Sequence, residues 1–187
     1  DNKQWVAASV GCDSTPSTPG IRATGLWFSD DLVNWTQYSG NPIITVQTDN
    51  AITNKDIFPA DADQPVGMYL RHFQKIKGQW YALVQWRGDQ TWSRMTVMKS
   101  EGDITGPWKL HNLCIDPEEA TDWFKRNGKM NWSTPVRFNG RWYAACQNGV
   151  GEKDKDNDHV GIVYSDNYLD WHEFDNNPVT EPLTRPD

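Results

Sequence analysis

The sequence predicts an all-β protein: a β-propeller of four-stranded antiparallel blades, with about three of an expected five blades present. Two patterns carry this prediction. A tryptophan-marked strand motif occurs three times, and a turn motif ending in tryptophan occurs twice, about two repeats apart. Composition agrees, because 11 of the 187 residues are Trp, and so many indole rings need packing or stacking partners.

The strand motif is a turn followed by a short run of aromatic and small apolar residues. Its tryptophan stands at Trp5, Trp80 and Trp142. Such runs are typical of buried or half-buried strands. Repetition at this spacing favours radially arranged blades over a sandwich. We expect one incomplete domain over residues 1–187, with repeats at about 1–50, 51–116 and 125–180.

The turn motif places a Ser-Asp pair before a tryptophan at Trp35 and again at Trp171. Seven residues after each of these tryptophans comes a proline, Pro42 or Pro178. The middle repeat has a looser copy that ends at Trp108. Because these tryptophans occupy equivalent positions, we assign them to packing between blades.

Charge and hydropathy restrict the class of partner. The net charge of −7 argues against nucleic acid, whose binding depends on clustered Lys and Arg. No apolar stretch is long enough for membrane insertion, and residues 1–4 do not resemble a signal peptide. Three blades do not close a ring, so self-association is expected if the propeller closes between chains.

The sequence predicts no cofactor and no metal. Residues 154–158 resemble the start of an EF-hand loop, but His159 and Ser165 stand where that loop needs Gly and Glu. A looser structural calcium site stays open as an alternative without a motif to support it. The cysteines, Cys12, Cys114 and Cys146, form no metal-binding pair, and their pairing is left open.

The combination of Gly-x-Trp-Tyr at Gly140, Tyr-Ser-Asp-x-x-Leu-x-Trp at Tyr164 and Asn-Pro-Val at Asn177 resembles the five-bladed propellers of glycoside hydrolase families 43 and 32. The likeness covers nearly the whole chain. It implies a protein that hydrolyses or recognises a poly- or oligosaccharide through a propeller-face pocket with paired carboxylates. It also implies an extracellular or periplasmic location.

The best carboxylate candidates are Asp61 and Asp63, which precede the expected inner strand of the second repeat, residues 68–73. In the related families, acids near the innermost strands act as base or nucleophile and as general acid. The alternative is a solvated acidic loop with Asx turns.

Candidate substrate-binding residues lie on the same strand and among the unrepeated aromatic residues. Arg71 and His72 are successive, so only one is expected to face the channel, and an inter-blade hydrogen bond is the alternative for either. Trp86, Trp92 and Trp132 do not follow the repeat and are candidates for stacking on sugar rings, with packing under loops as the alternative.

Ser133 is a further candidate substrate-binding residue, and it is the candidate that argues against catalysis. The segment from Trp132 to Phe138 resembles the family 32 strand that carries the general acid, and Ser133 occupies the position of that acid. A serine does not protonate a glycosidic oxygen as a carboxylic acid does. A non-catalytic, lectin-like propeller is therefore the alternative function, and a structural protein-interaction propeller is a third.

Overall fold

The computed structural model describes residues 4–13, 21–46, 67–87, 93–116, 119–125, 130–148 and 159–180. These residues form strands and one short helix, α1 (Asp122–Lys125), which confirms the predicted all-β class. The strands are β1 (Trp5–Asp13), β2 (Ile21–Ser29), β3 (Thr36–Gln37), β4 (Gly67–Ile76), β5 (Gln79–Arg87), β6 (Ser93–Asp103), β7 (Gly106–Leu113), β8 (Met130–Trp132), β9 (Val136–Phe138), β10 (Arg141–Asn148), β11 (His159–Ser165) and β12 (His172–Glu173).

The strands form three antiparallel sheets that follow one another along the chain. We call them blade 1 (β1-β2-β3), blade 2 (β4-β5-β6-β7) and blade 3 (β12-β11-β10, with β8 and β9 both paired to β10). Blade 2 has the four strands expected of a propeller blade. In blade 3 the first strand is divided into β8 and β9, which pair with opposite halves of β10.

The Gly-x-Trp motif encodes the hairpin that leads into the second strand of a blade. Lys77 and Gly78 both have positive φ (47° and 86°), and so do Asn139 and Gly140 (47° and 84°). Two consecutive positive φ values match the two-residue hairpin turns that follow the right-handed twist of strands. The motif therefore places Trp80 one residue into β5 and Trp142 one residue into β10.

In the described part of the chain, the core consists of two clusters, one on each side of blade 2. On one side Ala82, Val84 and Trp86 pack with Leu26 and Ile44 of blade 1. On the other, Leu83 of the same strand packs in a cluster with residues of blade 3. Since alternate residues of β5 point to opposite faces, blade 2 is buried on both sides. Sheets stacked face to face in this way are the packing of a partial β-propeller.

The three blades form an open arc within the described residues. Tyr168 of blade 3 is fully buried, whereas Leu32, at the equivalent left-handed position of the blade 1 turn (φ 73° and 65°), is 52% exposed. Trp5 is likewise 47% exposed. At the other side of the arc, Val136 and Phe138 of β9 are 63% and 65% exposed. The outward faces of blades 1 and 3 are therefore apolar and uncovered.

The Asn-Pro pairs that follow blades 1 and 3 brace β2 and β11, respectively. Asn41 accepts a hydrogen bond from the backbone N–H of Leu26 at 2.8 Å and donates one to its carbonyl oxygen at 2.9 Å. Asn177 does the same with Ile162, at 2.8 Å for both bonds. Each asparagine side chain thus acts as a strand partner would, which explains why Asn-Pro recurs at this position.

The one described helix, α1, begins at Asp122. Thr121 Oγ1 accepts the backbone N–H of Phe124 at 3.4 Å and so caps the helix. Glu173 holds Thr121 in place by accepting hydrogen bonds from its N–H and its hydroxyl, at 2.9 and 2.6 Å. Four residues are too few to cross a bilayer, and no described helix is a membrane-span candidate.

Candidate functional site

The first strand of blade 2 carries a β-bulge at Arg71. Leu70 pairs with Val84 and His72 with Leu83, which leaves Arg71 as the extra residue between them. A bulge breaks the alternation of side chains and re-aims the residue that it contains. The expectation that Arg71 and His72 simply alternate is therefore wrong, and each side chain has its own environment.

The Arg71 guanidinium is fixed by one buried amide. Its Nε donates to Gln85 Oε1 at 3.0 Å, and its Nη2 donates to the same oxygen. Gln85 is fully buried on β5, where it pairs with Tyr69. The Arg71 side chain also lies over the Tyr69 ring, 5.4 Å from its centroid. Burial of the half-buried guanidinium lowers the pKa of Arg71 from its ordinary value.

Gln85 extends this contact across the interface between blades 2 and 3. Its Nε2 donates to Asn131 Oδ1 at 3.0 Å, and Asn131 lies on β8, the first strand of blade 3. We define the entry end of a blade as the end where its first strand begins, with Gly67 paired to Arg87 and Met130 paired to Asn148. Gln85 and Asn131 lie next to these ends.

Arg71, Gln85 and Asn131 together are named the entry cluster. Arg71 was predicted, but Gln85 and Asn131 were missed. The available signal was a glutamine inside the apolar run from Ala82 to Trp86, since a buried polar side chain needs a hydrogen-bonding partner. Chemically, the cluster presents a held cation and amide groups, which suit oxygen-rich ligands.

His72 has a structural role instead of a place in the entry cluster. Its Nδ1 lies 3.2 Å from the Tyr168 hydroxyl, which donates its hydrogen to the His72 carbonyl oxygen at 3.1 Å. The imidazole also packs on Trp142, 5.5 Å between centroids. His72 thus joins blades 2 and 3, which is the inter-blade alternative.

Two of the predicted stacking tryptophans lie in the core. Trp86 has no exposed surface, and its Nε1 donates to Thr96 Oγ1 at 2.7 Å. Trp132 is 2% exposed and packs edge-on against Trp171 at 5.3 Å. A sugar stacks only on an accessible ring face, so the packing alternative is correct for both residues.

Ser133 connects the two halves of the divided first strand of blade 3. Its hydroxyl oxygen accepts the backbone N–H of Ala145 at 3.0 Å and donates to the Thr134 carbonyl oxygen at 3.2 Å. Its own N–H donates to the Ala145 carbonyl oxygen at 2.8 Å. Ser133 is exposed, but its hydroxyl is committed to the backbone where β8 ends. The Ser133 hydroxyl therefore has a structural role.

The remaining predicted residues, Asp61, Asp63 and Trp92, lie outside the described residues, as do residues 154–158 of the EF-hand-like segment. Among the residues that are described, no cluster of His, Cys, Asp or Glu has the arrangement of a metal site. Cys114 and Cys146 are buried free thiols. Burial raises the pKa of both, to about 12 for Cys146, so neither is a nucleophile at neutral pH.

Solved structures share this fold with the chain. A thermostable family-43 glycoside hydrolase matches 96% of the chain with a TM-score of 0.60 at 14% identity. A GH32 β-fructofuranosidase mutant from Bombyx mori, in complex with sucrose, matches 92% with a TM-score of 0.57 at 17% identity. A glycosyl hydrolase from Bacteroides ovatus matches 100% with a TM-score of 0.58 at 14% identity.

These likenesses confirm the propeller fold that the sequence motifs indicated. The chain spans 53%, 34% and 49% of the three solved chains, respectively. Neither a protein-family model nor a curated protein matches the sequence. At this level of identity the resemblance extends to the fold, and function has to be argued from the site.

Proposed function

We propose that the chain is part of a glycoside hydrolase-like, carbohydrate-active propeller that binds a poly- or oligosaccharide at the entry end of its inner strands. The observation that carries the proposal is the Arg71 guanidinium, set on a bulge and held by the buried Gln85. Glycan recognition needs charged or polar donors held in place beside hydroxyl oxygens, and a preorganised donor loses little entropy on binding.

For catalysis we propose Asp61 and Asp63 as the paired carboxylates, one as base or nucleophile and one as general acid. The chain places them six and four residues before β4, whose first residue, Gly67, is at the entry end. Trp92 is proposed to stack on a sugar ring, one residue before β6. In this assignment Arg71 orients the substrate and takes no part in proton transfer.

A lectin-like propeller that binds without cleaving is the second candidate. The observation in its favour is Ser133, whose hydroxyl serves the backbone at the position where the related strand carries an acid. In this case Arg71 still binds the glycan, while Asp61 and Asp63 contribute only solvated loop charge.

Titration calorimetry and a reducing-sugar assay on one oligosaccharide panel test the proposal. We expect the chain to bind at least one glycan, and Arg71→Met to weaken that binding by about 10- to 150-fold, as expected for loss of a hydrogen bond to a charged group. Arg141→Met is the matched control, because Arg141 is an exposed arginine paired with Asp166 at the start of β10.

The enzyme and the lectin differ in turnover. Hydrolysis that is lost in Asp61→Asn or Asp63→Asn, with binding retained, supports the enzyme. Binding without turnover supports the lectin-like protein. No binding of any glycan, or equal losses in Arg71→Met and Arg141→Met, would contradict carbohydrate binding at this site and favour a structural protein-interaction propeller.

A further inference from the structure

The Arg71 guanidinium has one edge occupied and one edge open. Gln85 Oε1 accepts from both Nε and Nη2, which uses the side edge of the planar group. Of the five N–H donors of an arginine, those on the Nη1–Nη2 edge remain, and this edge is a two-pronged fork. Among the described residues none accepts a hydrogen bond from it. A fork of this kind matches the two oxygens of a carboxylate.

Arg71 also has no acidic counter-charge in the described part of the chain. The ion pairs found there are Lys109–Glu101 and Arg141–Asp166, both on the exposed surface. Burial is the cause that shifts the Arg71 pKa, and no acidic group of the described residues opposes it. Burying a cation is costly, and the Tyr69 ring at 5.4 Å offsets only part of that cost. An anionic ligand would lower the cost further.

The open fork is held in position from two blades. Gln85 is fully buried, and its amide is oriented by Asn131 of blade 3 at 3.0 Å. The chain carries a net charge of −7, so a bound anion requires a local cation in a fixed place. A guanidinium fixed before binding discriminates a carboxylate from a neutral hydroxymethyl group at the same place on a sugar.

We propose that the Arg71 fork binds the carboxylate of a uronic-acid residue, with Gln85 as the positioning residue for the guanidinium. The proposal rests on the carbohydrate-binding function and narrows it to acidic glycans. A sulfate ester presents a related oxyanion but has a tetrahedral arrangement of oxygens. The planar, two-oxygen fit favours the carboxylate.

Calorimetric titration with matched glycan pairs tests this proposal. The probes are tri-galacturonate, a guluronate trimer and a mannuronate trimer, each beside its carboxyl-reduced neutral form, and a sulfated trigalactose. We expect at least one uronate to bind the chain tenfold or more tightly than its reduced form. Arg71→Met should remove this preference, and Arg71→Lys should restore only part of it, because an ammonium is a point charge without a fork.

Gln85→Leu tests the positioning role. It should reduce the ratio of uronate affinity to reduced-form affinity, whereas a purely structural defect would weaken both forms alike and leave that ratio unchanged. Circular dichroism of each variant verifies folding. Gln85→Glu keeps an oxygen acceptor but gives Arg71 a carboxylate partner within the chain, so it should also reduce the uronate preference. Arg141→Met should retain the full preference.

The outcomes separate this proposal from the function on which it rests. If neutral forms bind as tightly as the uronates, or if Arg71→Met keeps the preference, the uronate assignment is wrong while glycan binding stands. Sulfated trigalactose bound as tightly as the best uronate would also overturn the carboxylate assignment. If no glycan binds at all, both the proposal and the carbohydrate-binding function fail.

Discussion

Tyr168 of blade 3 donates its hydroxyl hydrogen to the carbonyl oxygen of His72 of blade 2, at 3.1 Å, and lies 3.2 Å from the Nδ1 atom of the same histidine. The phenol is fully buried, and burial raises the pKa of Tyr168 above its ordinary value. A single side chain thus meets both the backbone and the side chain of its partner. This contact joins the blades next to the bulge that carries Arg71.

Replacing this tyrosine should weaken the blade interface. Tyr168→Phe leaves the ring in place but deprives the half-buried His72 carbonyl and imidazole of their partner, so we expect a loss of about 1–3 kcal/mol in the free energy of unfolding. Urea unfolding measures the loss. Tyr164→Phe is the control, because the Tyr164 hydroxyl has no hydrogen bond within the described residues. Equal stability of both variants would show that the contact contributes nothing.

The same histidine makes stability depend on pH. Burial lowers the pKa of His72 below its ordinary value of 6.5. The imidazole is therefore protonated to a smaller extent in the folded protein than in the unfolded chain. The stability that the neutral imidazole provides is therefore fully present above pH 6.5 and is lost as the pH falls from there through the lower pKa of the folded state. Urea unfolding at pH 7.5 and pH 5.5 should show this decrease, and His72→Gln should reduce it. An unchanged decrease in His72→Gln would contradict the assignment.

Because Asn177 braces β11 as a neighbouring strand would, replacing it should lower stability more than replacing the asparagine beside it. Asn177→Ala removes both hydrogen bonds to Ile162 in the middle of β11, and we expect about 1–3 kcal/mol lower stability. The neighbouring Asn176 is exposed, so Asn176→Ala should change stability by less than about 0.5 kcal/mol. Thermal or urea unfolding of the two variants checks this, and similar values for both would contradict the bracing role.

Gly161 is where the Trp123 ring lies against blade 3. A methyl group at Gly161 would stand 2.3 Å from the Trp123 ring, so Gly161→Ala should displace the indole and cost about 1–3 kcal/mol. Gly11 of β1 is a matched strand glycine, since nothing lies within 4 Å of an added methyl group there. Urea unfolding and the wavelength of tryptophan emission measure the effect. A Gly161→Ala protein as stable as Gly11→Ala would show that Trp123 is not packed there.

Local conformation was predictable because it is encoded in short stretches of sequence. The glycine of the Gly-x-Trp motif takes a positive φ at Gly78 and Gly140, and the tryptophan that follows enters the strand at once. These signals were sufficient for the all-β class and the propeller architecture. The pairing of the Asn-Pro asparagine side chain with a strand 15 residues away was not predictable from the motif itself.

The candidate site was less predictable because it depends on pairing between distant strands. The bulge at Arg71 is set by the register of β4 on β5, which no residue near Arg71 reveals. Gln85 acquires its role through Asn131, 46 residues further along the chain. Trp86 looked like a free aromatic residue because it breaks the repeat, yet it is buried by blade 1, and sequence alone does not show which neighbour covers a side chain.

The most direct test of the central claim is an arginine side-chain NMR spectrum, recorded as an oligosaccharide that binds is added to the chain labelled with ¹⁵N. If the entry cluster is the site, the Nε–H resonance of Arg71 shifts on titration and shows contacts to sugar protons, while that of Arg141 does not move. If the shifts instead fall on Arg141 or Arg137 with Arg71 unchanged, the glycan binds elsewhere and the assignment of the site is wrong.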